Sequence, residues 1–449
     1  MQLISDTVEV GGLKGPVRSP VYPMSSVELW NPDLFKMGPP LADFAKLRAE
    51  APVAWNPEPG DRPGFWSITR YDDVMRVNSY YETFSSQRGG ILMSHQRSEM
   101  QLARASLDAM INMDAPAHMQ LRREHMPYFT PGYLRGLTDR VEAEVTRLLD
   151  AMAPLGKCDL VPMLSAQLPL FTLCEILGVP QADRGKFLKW MHFLEMANSF
   201  AAERSGATGG GLEAAAAEVP PELQAFLDAF QAAIAEMFEY GREMLHKRRL
   251  DPQPDLMSAI ARAQIDGEFL ADEYLDGSWL LIVFAGNDTT RNTISGAMEL
   301  LSQFPGEKAK LIARPELVAG AVNEFIRMIS PVIYMRRTAT CDVEVAGQAI
   351  AEGEKVIMYY GSANRDELVF PNPDVLDVER ANAEKHIAFG YGPHTCIGKR
   401  VAQLQLEAVY RQILTRFPDM HQSGPIDVAP NNFVYAIRSL PVSFTPEKR

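Results

Sequence analysis

Four cysteines occur in this 449-residue chain, at positions 158, 174, 341 and 396, and the last stands in chemically suggestive company. Cys396 lies in "FGYGPHTCIG", bracketed by Gly390, Gly392 and Gly398, with Pro393 stiffening the approach. Glycine lets the backbone turn with positive φ, or lets a flat ligand come close with no Cβ in the way. Downstream, Val401, Leu404, Leu406 and Val409 recur at helical spacing, so the thiol sits at or just before a helix N-terminus. There the macrodipole and unpaired N–H groups favour a thiolate and should lower the thiol pKa. Such a thiolate is a nucleophile or a metal ligand; an inert cysteine beside a turn is the plain alternative. A nucleophile needs a base, and His394 or His386 are the options, although neither has an evident orienting group.

Three further groupings carry chemistry. In "FAGNDTTRNTISG" (284–296), Asp288, Thr289, Thr290, Arg291 and Asn292 are consecutive polar residues inside an apolar helical pattern beginning near Leu275. They point all around the axis, so some must face inward. Ala285 and Gly286 leave space for a small ligand, and Thr289 can bond back to a carbonyl and bend the helix. Glu324 and Arg327, three apart, share a helical face and can pair, with Arg380 downstream in "NRDELVFPNPDVLDVER". His118 and Arg122, four apart in "MDAPAHMQLRREHMPYF", can grip a carboxylate together. The plain readings are a hydrated helix kink, a surface ion pair and a satisfied histidine.

The elements that must position these residues are mostly helical. Apolar periodicity predicts helices over 141–153, 222–249 and 315–329. Strand signals are short: "PVAWNP" with "GFWSITR", and an alternating stretch over 341–360 whose glycine turns read as a hairpin. The fold class is therefore mainly α with a minor sheet. Only 205–222, "SGATGGGLEAAAAEVPPE", resembles a linker, and flanking helical patterns make it a flexible loop between helices. One domain over 1–449 is expected, with 1–29 as an N-terminal extension. Cysteines without a CxxC pair indicate neither a disulfide framework nor a zinc site. The net charge of −13 disfavours nucleic acid. No run of about 18 apolar residues suggests a membrane span, and no secretory signal opens the chain, so a cytoplasmic location is expected.

Taken in order, these groupings resemble the motifs of cytochrome P450. "FGYGPHTCIG" is similar to that family's haem-binding signature, with Phe389, Gly392, His394, Cys396 and Gly398 at its fixed positions; histidine stands at 394 where arginine is usual. The resemblance covers about Trp30 to Thr445. It implies a single P450 fold, haem b as cofactor and Cys396 as the axial thiolate. It implies His118, Arg122 and one of Arg336 and Arg337, by position Arg337, as propionate partners. Asp288 and Thr289 become the pair that delivers protons to dioxygen, and Glu324, Arg327 and Arg380 a buried structural triad.

"AGNDTTRNTISGAM", "MRRTA" and "SANRDE" look closest to bacterial members that hydroxylate alkanes, fatty acids or terpene alcohols; steroid or aromatic hydrocarbon hydroxylation is the alternative. By family position the substrate pocket draws on Ile91, Leu92, Met93, Met191, Phe193, Leu194, Met196, Leu281, Ile282, Ala285, Val332, Ile333, Phe433 and Val434, a hydrophobic lining. The implied co-substrate is O2. With no flavin or iron–sulfur motif in the chain, electrons come from a ferredoxin and its NAD(P)H-dependent reductase. Arg122, Arg123, Lys399 and Arg400 are the candidate dock. A peroxide-driven enzyme and a non-catalytic haem or hydrophobic-ligand carrier are the competing classes.

Overall fold

The structure is a computed structural model that describes residues 7–10, 13–16, 23–60, 62–93, 105, 107–191, 193 and 221–447. Residues 205–220 of the loop expected over 205–222, and 1–6, 11–12 and 17–22 of the 1–29 extension, lie outside them, while Pro221 and Glu222 begin a helix. Helices dominate: α1 (Tyr71–Ser79), α2 (Ala117–His125), α3 (Pro131–Met152), α4 (Gln167–Leu177), α5 (Pro221–Leu250), α6 (Asp272–Ala285), α7 (Asp288–Gln303), α8 (Val318–Ile329) and α9 (Lys399–Arg416). A five-stranded sheet runs in the order β1 (Val53–Asn56), β2 (Phe65–Ile68), β5 (Lys355–Tyr359), β4 (Tyr334–Ala339), β3 (Phe84–Ser85). β5 is parallel to β2, and the other pairings are antiparallel.

Local sequence explains the elements. Thr130 caps α3 by accepting the Tyr133 N–H at 3.4 Å, and Pro131 fits its first turn. Leu134, Leu137, Val141, Val145, Leu148 and Met152 then bury one stripe. α8 buries Val318, Ala321, Val322, Phe325 and Ile329, and stops where Ser330 turns left-handed at φ 43°. α7, α8 and α9 pack on one another, with α3 against α9, and these helices share the largest apolar core. The 341–360 stretch is only partly a hairpin. Val343–Val345 pairs with Gln348–Ile350 around Ala346 and Gly347, both at positive φ. Lys355–Tyr359 instead joins the sheet between β2 and β4, because all five of its side chains are buried. Among the described residues no helix is long and apolar enough to cross a membrane.

α2 also buries His125, and neither ring nitrogen has a hydrogen-bond partner among the described residues. Burial, then the neighbouring Arg122 charge, pushes its pKa down to about 4. The unfolded chain therefore binds a proton near pH 6.5 that the fold rejects. Stability falls as pH drops from 6.5 towards 4, by up to ~3 kcal/mol from this one group. His125→Leu should flatten that acid limb in urea titrations; an unaltered limb would contradict the assignment.

Candidate functional site

The site is built around the loop before α9. The Cys396 N–H donates to the Phe389 carbonyl at 2.8 Å, closing a turn in which Gly390 and Gly392 take φ of 72° and 70°. Gly392 serves packing rather than a ligand. A Cβ there would stand 2.7 Å from the Asn78 carbonyl at the end of α1, and the residue does not line the cavity described next. Gly390, Gly398, Phe389 and Cys396 do line it.

That cavity measures about 260 Å³, and the Cys396 thiol opens to it. The Gly398 and Lys399 backbone N–H groups and the Arg122 and Lys399 charges favour the thiolate, as the helix start predicts. Burial outweighs them, however, and the thiol pKa is raised, the reverse of the direction read from sequence. His394 and His386 do not act as its base. The His394 ring stacks on His118 with centroids 3.9 Å apart, and its Nε2 lies 3.3 Å from Ser86 Oγ. His386 is buried away from the cavity, its Nδ1 accepting the Ala388 N–H at 3.3 Å.

One end of the cavity is cationic. His118, Arg122, Arg337 and His394 line it together. Alternation along β4 decides between the two arginines: Met335 and Arg337 face the cavity, and Arg336 does not. Arg122 donates to the Thr395 carbonyl and Arg337 to the Arg336 carbonyl, and among the described residues neither is ion-paired. Burial first, then the adjacent arginines, lowers His118 to about 4 and His394 to about 2, so both rings are neutral donors or acceptors. A buried guanidinium, Arg337, and a half-buried one, Arg122, without a carboxylate call for an anionic ligand. A cysteine, unpaired cations and apolar walls in one cavity fit haem b, with its iron, two carboxylates and flat ring.

α6 and α7 form the opposite wall. Sequence suggests one continuous helix; the structure breaks it at Gly286 and Asn287. The Asn287 N–H reaches only to Phe284, at 3.3 Å, and the Thr289 hydroxyl donates to the Ala285 carbonyl at 3.4 Å. The polar run divides its work. Ala285, Gly286, Thr289, Thr290 and Thr293 face the cavity. Fully buried Asn292 accepts the Ile437 N–H and donates to the Asp288 carbonyl, both at 2.8 Å. Asp288 points elsewhere: its side chain is 29% exposed, accepts from Asn287 Nδ2 at 3.3 Å and lies 4.0 Å from the Arg291 guanidinium.

Glu324, Arg327 and Arg380 meet. Arg327 forks onto the Glu324 carboxylate at 2.7 and 2.8 Å, and Arg380 Nε reaches it at 2.9 Å. Glu324 and Arg327 are completely buried, so this is no surface pair. The remaining Arg327 donors hold the Asn364 and Pro373 carbonyls. Asn364 Oδ1 in turn accepts the Ile387 N–H at 2.7 Å, nine residues before Cys396.

Of the expected pocket residues, Leu281, Ile282, Ala285 and Val332 line the cavity. Ile91, Leu92, Met93, Met191, Phe193, Ile333, Phe433 and Val434 do not. Met93, Ile333 and Phe433 share a separate apolar cluster, and Met191 lies in the main core. Phe193 rests near Phe226, with ring centroids 6.3 Å apart. Leu194 and Met196 lie outside the described residues. Sequence reading missed Met110, Ile111, Leu173, Ile176, Leu256 and Met335. Met110 and Ile111 sit in a one-turn helix too short to show a period, and Leu173 and Ile176 read as ordinary core.

Comparison with known proteins agrees with this geometry. The family model for cytochrome P450 matches residues 309–442. The chain is 36% identical to linalool 8-monooxygenase of Pseudomonas putida, over 94% of this chain and 100% of the relative. It is 30% identical to steroid C26-monooxygenase of Mycobacterium tuberculosis, over 98% and 97% of the respective chains. Among solved structures, a Mycobacterium marinum cytochrome P450 in complex with pseudoionone superposes with a TM-score of 0.81 at 33% identity, covering 95% of this chain and 100% of the other. Similarity extending over the whole of such relatives places the chain in the cytochrome P450 family, whose members bind haem b and act as monooxygenases.

Proposed function

We propose that this monooxygenase hydroxylates a neutral aliphatic or terpenoid molecule, in the cytoplasm, with electrons delivered by a ferredoxin and its NAD(P)H-dependent reductase. The observation that carries the substrate class is the distribution of charge in the cavity. The two cations lining it, Arg122 and Arg337, belong to the cofactor end together with the neutral rings of His118 and His394. The remaining lining is mostly apolar, with Leu173, Ile176, Leu281, Ile282, Val332 and Met110, and its polar side chains are uncharged, the threonines of α7 with Thr172, Thr395, Tyr360 and Gln405. A substrate carboxylate would find no cationic partner there, which disfavours a peroxide-driven fatty-acid enzyme. The likeness to a linalool monooxygenase and to a pseudoionone complex supports the terpenoid reading. The test is product analysis with O2, ferredoxin, reductase and NAD(P)H on linalool, medium-chain alkanes and a steroid. Hydroxylated terpenoid or alkane is expected; turnover of the steroid alone would overturn the proposal.

In this reading the Cys396 thiolate, supported by the Gly398 and Lys399 amides, would hold the iron, and Arg122, Arg337, His118 and His394 would hold the carboxylates. Bound haem would supply the iron at which dioxygen is activated. Asp288, 29% exposed, would take up protons, and the adjacent Thr289 hydroxyl would present them inside the cavity. Thr289→Ala should lower product formed per NAD(P)H by about 10-fold or more while oxygen consumption continues. Full coupling in that variant would remove Thr289 from the proton path.

Of the four cations of the candidate dock, Arg122 is committed to the cavity and Lys399 is half-buried over the Phe389 ring, which leaves Arg123 and Arg400 exposed. Reversing both to glutamate should slow reduction by an acidic ferredoxin about 10-fold at low salt and converge with the parent at high salt. A rate unchanged at low salt would place the dock elsewhere.

A further inference from the structure

Strand β4 addresses two partners with its two faces. Met335 and Arg337 face the cavity. Tyr334 and Arg336 face the other way, alongside Lys355 and Tyr359 of β5, since Tyr359 pairs with Tyr334 and Lys355 with Thr338. On this second face lies a buried charged cluster. Arg336 is 3% exposed, Lys355 8% and Glu58 8%, and Lys355 is ion-paired to Glu58. Two buried cations thus stand near one carboxylate, which is paired to Lys355, while Arg336 makes no ion pair among the described residues and feels the Glu58 charge through space. Its guanidinium donates to neutral acceptors instead, the Leu92 carbonyl at 3.4 Å and Thr338 Oγ1 at 3.2 Å.

The object held by this cluster is the main chain of residues 91–93. The Arg336 N–H donates to the Ile91 carbonyl at 2.9 Å, and Lys355 Nζ reaches the Met93 carbonyl at 3.5 Å. The Met93 N–H donates to the Tyr334 hydroxyl at 3.0 Å. Gly89 fits only because it lacks a side chain: a Cβ would stand 2.2 Å from the Arg336 guanidinium. From the other side, the Ile91 N–H donates to Asn112 Oδ1 at 2.9 Å, and Asn112 directly follows Met110 and Ile111 of the cavity wall. The Met93 side chain shares an apolar cluster with Ile333 and Phe433, and Ile333 directly follows Val332 of the cavity wall.

We propose that Arg336, with Lys355, Glu58 and Tyr334, is a specificity-determining positioning cluster. It fixes residues 91–93 and so sets two cavity walls, Met110–Ile111 and Val332, without touching the substrate. The inference stands whichever hydrophobic class the cavity takes.

The test uses purified holoenzyme and two imidazoles whose ring nitrogen binds haem iron while the substituent samples the cavity, a linear alkylimidazole and a bulky arylimidazole. Arg336→Met should keep the haem content and the carbon monoxide band of a thiolate-ligated haem. It should change the ratio of the two dissociation constants at least 5-fold, and Arg336→Lys should restore most of it. Tyr334→Phe, which keeps the ring and removes one hydroxyl, should shift the ratio in the same direction by a smaller factor. It serves as the reporter if Arg336→Met does not fold. An unchanged ratio in every folded variant, with only thermal stability lowered, would overturn the proposal.

Discussion

Replacing Cys396 with alanine is expected to abolish monooxygenation, by on the order of 10³-fold or more, while leaving most of the fold intact. The loop ahead of α9 is closed by main chain, the Cys396 N–H on the Phe389 carbonyl, so the turn outlasts the sulfur although the Gly398 and Lys399 amides lose their acceptor. Cys396 is the only cysteine among the residues lining the cavity. Cys158 and Cys174 have pKa values pushed by burial to about 11 and about 12, so they are inert substitutes. Far-ultraviolet circular dichroism should therefore match the parent, and the carbon monoxide band of a thiolate-ligated haem should vanish. A variant that retained that band would show another residue holding the iron.

The second large effect concerns stability. Glu324→Ala should destabilise by about 3–5 kcal/mol, because it leaves the buried Arg327 without its carboxylate and removes the one carboxylate that Arg380 pairs with among the described residues. Against a total stability of about 5–15 kcal/mol, that loss is enough to unfold part of the population. The damage should also reach the cofactor. Arg327 holds the Asn364 carbonyl, and Asn364 holds the Ile387 N–H ahead of the cysteine loop. Haem retention is therefore expected to fall along with the denaturation midpoint, with Glu324→Gln intermediate on both measures. A Glu324→Ala protein within 1 kcal/mol of the parent would mean that the triad is not the fastener described.

How far the sequence reached can be seen residue by residue. Cys396, Thr289, His118 and Arg122 were legible because their spacing carries chemical meaning; Arg337 came only from the resemblance, with Arg336 left open, and the cavity brings the five together. The Glu324–Arg327 pair was legible by helical spacing, but its complete burial and its link to Asn364 depend on distant chain. The break between α6 and α7 was hinted at by Gly286 and Thr289, yet only tertiary bonds such as Asn292 to Ile437 fix where it falls. The direction of the Cys396 pKa was misjudged because helix-start amides are local while burial is not. Pocket residues fared worst. Whether Val332 or Ile333 faces the cavity depends on strand pairing, including the Ile333 N–H to Phe433 bond, which no local pattern encodes.

The measurement that bears most directly on the whole account is an optical titration of the purified protein with linalool, followed at the haem Soret band. A cavity holding haem against Cys396 beside apolar walls predicts a saturable shift from the low- to the high-spin spectrum as the ligand displaces water from the iron. A protein with no Soret absorption, or one that shifts with neither linalool nor a medium-chain alkane, would contradict it.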